Sequence, residues 1–232
     1  MTDTKRYARD RLVIDIETVG FRWDDIPERV RGRLVKRAKG DEAVARSSLA
    51  LSPTTGHVVL VGMFNPDTRH GEILVEGPTV LCSEAVGDDE TSAALARDGI
   101  KLRVVAFGGE GELLKAFWER VIKYGQIVTF NGRSFDGPFL MVRSIVNNVV
   151  VRRNLVGNRY ADYHLDLMDR LACFGATSSC SLDEWCVALG IPSPKDGHSG
   201  ADVEQLWNAG DRRALCQYSA GDLRATAALL ER

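Results

Sequence analysis

The 232-residue chain has no apolar run near the roughly 18 residues that a membrane-spanning helix needs. Its N-terminus, MTDTKRYARDR, is polar and charged and has no apolar leader segment, so a soluble, cytoplasmic protein is expected. The five cysteines, Cys82, Cys173, Cys180, Cys186 and Cys216, are odd in number and form no CxxC pair. That argues against a disulfide framework or a zinc ribbon and for reduced, mostly buried thiols. Neither charge sign dominates: 30 basic and 32 acidic residues leave a net charge of −2, with no overall basic signal for a polyanion. Internal repeats and low-complexity tracts are also missing.

What is present fits an ordinary α/β domain, or one with an appended subdomain. Hydrophobic residues make up 44% of the chain and charged residues 27%, and the length allows a sizeable core. The informative stretch is Leu12 to Thr18, LVIDIET, which breaks its own pattern. Leu12, Val13, Ile14 and Ile16 suit a strand buried on both faces, yet Asp15 and Glu17 interrupt the run. Side chains alternate along a strand, so these two acids share a face and repel when both ionise. Taking an unpaired carboxylate out of water costs several kcal/mol. Either basic partners lie close by or a hard divalent cation is bound by the oxygens. The alternative is an edge strand whose acids face water.

Further along, Phe21 to Ala50 carries a dense basic run, Arg29, Arg31, Arg33, Lys36, Arg37 and Lys39, on a helical pattern whose apolar side is Ile26, Val30, Leu34 and Val35. It reads as a solvated helix face or as a phosphate-contacting surface. His57 to Phe64 predicts a strong strand. A hairpin over Asn65 to Gly71 leads into Glu72 to Glu76, making an antiparallel trio with the first strand. Gly77 to Gly99, with Gly87, Asp88, Asp89 and Glu90 together, predicts an acidic surface excursion. Strands follow at Leu102 to Phe107 and Gln126 to Phe130, separated by a helix over Glu112 to Lys123.

After the second of these strands come Asn131, Gly132 and a helical pattern from Phe135, the place where α/β sheets put their ligands. Asp136 lies there; a lone aspartate at such a position is ordinarily a cap. Tyr163 to Leu167 predicts a last strand whose His164 and Asp166 share a face. They read as a surface or hydrogen-bonded structural pair rather than metal ligands. Ser181 to Glu184 has capping-box form and opens a helix stopped by Gly190. A loop carrying Lys195 and His198, a short helix over Ala201 to Asn208 and a long helix from about Asp211 complete the chain. In that last helix Leu215, Tyr218, Asp222, Ala225 and Leu229 form one stripe, so a core-facing side holds a carboxylate. A buried aspartate needs a partner, and the acids of the first strand together with a metal would supply one.

Taken together, IDIET, FNGRSFD and YSAGD resemble, in order, the three exonuclease motifs of the DEDD superfamily with the RNase H-like fold. Asp15 and Glu17 match the first motif, Asn131, Phe135 and Asp136 the second, and Tyr218 with Asp222 the third. Tyrosine in the third motif marks the DEDDy variant, found in family B polymerase proofreading domains and in ribonuclease D. ALSPTTGHVVLVG, HLDLMD and YSAGDLRAT extend the likeness to stand-alone bacterial proteins predicted to be exonucleases related to that proofreading domain.

The resemblance implies an α/β fold with a central mixed sheet of five to six strands flanked by helices, in one domain over residues 1–232. The basic helical segment near 24–50 and the acidic excursion near 77–100 are insertions. It further implies two divalent cations, Mg²⁺ or Mn²⁺. Asp15 bridges both, Glu17 and Asp222 complete one, and Asp136 holds the other, directly or through water. Tyr218 orients or helps deprotonate the attacking water. Thr18 and Asn131 are candidates for contacts to the terminal nucleotide, and Phe135 or Phe139 for packing near a base. The implied activity is 3'-to-5' hydrolysis of phosphodiesters at single-stranded ends, DNA favoured, with any polymerase or helicase partner acting in trans. An exoribonuclease and a weakly catalytic nucleic-acid-binding or interaction module are the alternatives.

Overall fold

Alternation along Arg11–Gly20 sets the architecture, because this strand, β1, is apolar toward both sides. The computed structural model describes residues 10–78, 99–193 and 202–232. Most of the acidic excursion, with Asp88, and the loop carrying Lys195 and His198 lie outside the described residues. The remaining strands are β2 (Gly56–Asn65), β3 (His70–Glu76), β4 (Lys101–Phe107), β5 (Gln126–Thr129) and β6 (His164–Asp166). They form one sheet in the order β4-β3-β2-β1-β5-β6. The β2 strand is antiparallel to β1 and β3, whereas β3 with β4, β1 with β5, and β5 with β6 are parallel. The expected antiparallel trio is present, and β1 lies in the middle of the sheet. An edge strand with acids in water is therefore ruled out.

Among the described residues the α-helices are α1 (Glu28–Arg37), α2 (Glu42–Ser47), α3 (Glu110–Val121), α4 (Asp136–Val146), α5 (Leu167–Leu171), α6 (Leu182–Leu189), α7 (Val203–Ala209) and α8 (Arg212–Leu230). None of them is long and apolar enough to cross a membrane. On one face of β1, Leu12, Ile14 and Ile16 pack with Leu113, Phe117 and Trp118 of α3 and with Phe139 and Leu140 of α4. On the other, Val13 meets Leu223 and Ala225 of α8, and Val19 meets Leu215. Asp15 and Glu17 alternate with the first set, so they point into the layer beneath α8.

Between β1 and β2 the chain builds a small core of its own. Trp23, Ile26, Ala45 and Leu49 are buried together, with Val30, Leu34 and Val35 of α1 and the following Ala38 against them. Its return is fastened to β1: Thr18 Oγ1 donates to the Ala50 carbonyl at 2.7 Å, and the Phe21 N–H to Thr55 O at 2.8 Å. Gly20 allows the approach, since a Cβ there would stand 2.7 Å from Leu49 Cβ.

The opposite layer is tied by a buried ion pair. The Glu110 carboxylate at the start of α3 accepts from Arg143 Nη2 of α4 at 2.6 Å, from the Val58 N–H of β2 at 2.8 Å and from Asn147 at 2.8 Å. Arg143 also donates to Pro53 O, and its guanidinium lies over the Phe21 ring. One cation thus joins the Asp136 helix to the basic insertion. Removing a single partner leaves a buried charge without compensation, so Arg143→Met should lower unfolding free energy in urea by about 3–5 kcal/mol. Adding Glu110→Gln removes that charge while keeping an acceptor for Val58, and should recover part of the loss. Equal losses in the single and double variants would mean that the charge is not the cause.

Candidate active site

The site begins where β1 outruns its neighbour. The β5 register pairs Arg11 with Gln126, Leu12 with Ile127 and Val13 with Val128, and β5 ends at Thr129. Beyond that point the β1 backbone lacks a strand partner on this side, and the Ile16 N–H donates instead to Asp136 Oδ1 at 3.1 Å. Asp136 is thus held against the strand that carries Asp15 and Glu17.

The turn that brings Asp136 there is built on a second carboxylate. Asn131 takes a left-handed φ of 62°, which asparagine tolerates better than most residues. The N–H groups of Asn131 and Arg133 donate to the two Asp166 oxygens at 3.0 and 2.8 Å, and Asp166 also caps α5 through Met168 N. His164 beside it is buried; its Nδ1 lies 2.8 Å from the Leu155 carbonyl and its Nε2 2.9 Å from Thr129 Oγ1. A carbonyl only accepts, so Nδ1 carries a proton. Burial pushes its pKa down to about 4, helped by the nearby Arg133. His164 and Asp166 are thus buried and each is hydrogen-bonded to neighbouring segments, the structural rather than the surface form of the sequence expectation.

From the other side, α8 lies close on β2. Gly62 sits opposite Asp15 in the β1–β2 register, and a Cβ there would stand 2.7 Å from Ser219 Oγ and 2.8 Å from Leu223 Cδ1. Gly62, together with Ser219, Ala220 and Gly221 of α8, lets the helix turn holding Asp222 reach β1. Sequence reasoning passed over Gly62, although a glycine inside an otherwise apolar strand signals close backbone approach.

Asp15, Glu17 and Asp222 each offer an oxygen within 4.8 Å of the others. Two unit charges at such a separation repel by roughly 3.5 kcal/mol at an effective dielectric of about 20. Three such pairs approach the whole stability of a domain, about 5–15 kcal/mol, so the trio holds protons or a counter-cation. Burial, and then the neighbouring acids, raise Asp15 and Glu17 well above the usual carboxylate range. Asp136 is pushed up to about 7 by burial, with the Asp166 and Asp222 charges adding and backbone N–H donors opposing.

The donor set is all oxygen, and Asp15 Oδ2 is buried with no hydrogen-bond partner among the described residues. Both features fit a hard divalent cation. Tyr218, one turn before Asp222, hydrogen-bonds the Asp222 carboxylate, and burial beside three acids drives its hydroxyl pKa further above the ordinary phenol value. The hydroxyl is a fixed donor.

The predicted acids and tyrosine therefore come together, with Asp136 beside the trio rather than inside it. The nucleotide-contact candidates separate. Asn131 and Phe135 are half-buried on the turn before α4. The Thr18 hydroxyl is engaged with Ala50. Phe139 needs correction: only 1% exposed, it faces the α3 layer as a core residue, out of reach of a base.

A mixed sheet with an antiparallel second strand, flanked by helices and gathering carboxylates from its central strand and last helix, defines an RNase H-like fold of the exonuclease kind. The chain belongs to the family of predicted 3'-5' exonucleases related to the exonuclease domain of PolB, whose sequence model matches residues 90–230. That span holds Asp136, Tyr218 and Asp222, while Asp15 and Glu17 precede it and join the site through the geometry above. An uncharacterized protein of Methanocaldococcus jannaschii is 29% identical over 162 residues, which cover 63% of this chain and 89% of that protein.

Charge removal gives a substrate-free check. In chelator, Asp222→Asn relieves repulsion with little change of shape, so its melting temperature should equal or exceed the parent's; Mn²⁺ should reverse the order, because the variant has lost a ligand. The pH dependence has a definite sign. Folded pKa values raised above the unfolded ones contribute stability that is present below about pH 4 and lost as pH rises through about 7, the Asp136 value. Metal-free parent should therefore melt lower at pH 8 than at pH 5, and Mn²⁺ should flatten that slope. A variant that melts lower in chelator, with equal metal shifts in both proteins, would detach Asp222 from the site.

Proposed function

We propose that this protein is a metal-dependent 3'-to-5' exonuclease that hydrolyses phosphodiester bonds at single-stranded ends, DNA in preference to RNA. The observation that carries the reading is the trio Asp15, Glu17 and Asp222, with oxygens within 4.8 Å of one another, and Asp136 held against the same strand. A module that only binds has no need of like charges packed at this cost. The preference for DNA follows the family's relation to a polymerase exonuclease domain.

Asp15, Glu17 and Asp222 would hold one divalent cation, and Asp15 with Asp136 a second. Such a pair, when bound, lowers the pKa of a water and offsets charge on the leaving oxygen. Within this frame Tyr218 orients the attacking water. Its raised pKa keeps the proton on the phenol near neutral pH, so it is not the base; with that one proton given to Asp222, the phenol oxygen would orient the water by accepting a hydrogen bond from it. Asp222 accepts that hydroxyl's hydrogen bond and fixes its direction. Asp166 holds the turn that presents Asp136 without itself touching substrate.

The basic helix supports a polyanionic substrate. Arg29, Arg33, Lys36, Arg37 and Lys39 are exposed and make no ion pair among the described residues, and the small core beneath α1 is pinned to β1 one residue past Glu17. Neutralising Arg33, Lys36 and Arg37 together should weaken single-strand binding similarly for all sequences and reduce the salt slope by about 0.7 per lost contact. An unchanged slope would return α1 to a solvated surface.

End-labelled DNA and RNA oligonucleotides, incubated with Mg²⁺, Mn²⁺ or chelator, test the reaction. Laddering from the 3' end should require metal, and Asp15→Ala or Asp136→Ala should each abolish it with the fold intact. Tyr218→Phe should slow single-turnover hydrolysis by about 10- to 1,000-fold with little change in affinity. Activity indifferent to chelation, or retained in either aspartate variant, would remove this mechanism. Faster trimming of RNA would make the protein an exoribonuclease.

A further inference from the structure

A second cluster, away from the acids, has the composition of a base-stacking surface. Tyr160 is 63% exposed, and its ring centroid lies 4.7 Å from that of Phe174, tilted by 56°. The Arg170 and Arg159 guanidiniums lie 5.0 and 5.7 Å from the centre of the Phe174 ring. Phe174 is half-buried, so it forms the floor and Tyr160 the open outer face.

The backbone is arranged for this placement. Cys173 and Phe174 are consecutive residues in the left-handed region, at φ 48° and 58°, where side chains other than glycine are strained. Tyr160 sits on a held loop: its N–H donates to Asn158 Oδ1 at 2.9 Å, and Arg153 fastens the same loop to the carbonyls of Gly125 and Tyr163. An exposed aromatic on a fixed backbone loses little freedom when a ring stacks on it.

Position and charge point to one kind of occupant. The strands β5 and β6 run parallel to β1, so the chain leaving β6 through α5 to Phe174 emerges at the same end of the sheet as the turn carrying Asp136. Asp169 of α5 pairs with Arg159 at 2.5 Å and stands 3.7 Å from Arg133 Nε, on the turn that Asp166 holds. The platform and the Asp136 turn are thus joined by direct contacts. Its two cations are matched by Asp169 and Asp162, the latter 3.7 Å from Arg170, so the surface offers π faces rather than net charge. That is the chemistry of a base, whereas the unpaired cations of α1 suit phosphates.

We propose that Tyr160, seated on Phe174, stacks against a base of the single-stranded substrate upstream of the nucleotide being removed. This rests on the exonuclease reading above. The surface adds affinity that depends on the presence of a base and is indifferent to its identity, because every base has a π face.

The test uses the full chain in chelator and a fluorescein-labelled oligothymidylate, with binding read by anisotropy. Tyr160→Ala should weaken binding about 5- to 100-fold with an unchanged salt slope, and Tyr160→Trp should restore it. In a scan that places one abasic site at each position in turn, one position should weaken the parent by a similar factor and leave Tyr160→Ala unaffected. Equal affinity of parent and Tyr160→Ala, in a parent that trims 3' ends, would overturn the platform alone. So would an abasic scan in which no position is silenced by the variant. A parent that neither binds nor trims single strands would remove the nuclease reading and the platform with it.

Discussion

Repulsion among carboxylates that cannot move apart is the constraint around which the rest of this fold is arranged. Asp15 and Glu17 belong to the central strand, paired with β2 from Val13 to Gly20 and with β5 from Arg11 to Val13. Asp222 rides on a 19-residue helix packed on that strand's face. None of these groups can relax into solvent without unpairing the sheet or lifting the helix. Electrostatic energy therefore stays stored in the site until protons or cations discharge it, the usual condition of a preorganised reaction centre.

The supporting polar contacts divide the labour. On the Asp136 side they are local: Asp166 gathers the Asn131 to Arg133 turn, and a neutral His164 locks β6 to β5. On the opposite layer the Glu110–Arg143 pair reaches farther, linking α3, α4, β2 and the segment entering the basic insertion. A buried pair of this kind adds little net stability over apolar packing but fixes geometry, because its hydrogen bonds have direction where aliphatic contacts have none. The helix carrying Asp136 is held near each end by a different polar anchor, Ile16 at the first turn and Glu110 at the last.

Much of this was legible in the sequence where a local rule is broken. Two acids in an apolar strand, and one in the apolar stripe of the last helix, marked the trio because a buried charge needs a partner. Strand and helix positions followed from periodicity, and the capping box at Ser181 forms both of its hydrogen bonds. What escaped depends on contacts between distant segments. Gly62 matters through Ser219 and Leu223, more than 150 residues away in the chain; its apolar strand setting signals a close approach but not which segment makes it. Phe139 was misread because which neighbour covers its side chain, here the α3 layer, is decided by the fold. The pairing of Tyr160 with Phe174 likewise needs two loops brought together.

The place where β1 extends past β5 sets an unusual sensitivity to parity. Asp15, Glu17 and the Ile16 amide that receives Asp136 are consecutive in pattern, so the inward acids and the edge amide are counted from one register. A slip of one residue between β1 and its partners would turn both acids into the aliphatic layer of Trp118 and Phe139, while Ile16 would move under α8. Length changes in the surface connections should be easily absorbed, whereas a single insertion or deletion within Leu12 to Ile16 would turn the site inside out. The surface connections thus tolerate a change of length, and these few residues only a change of side chain.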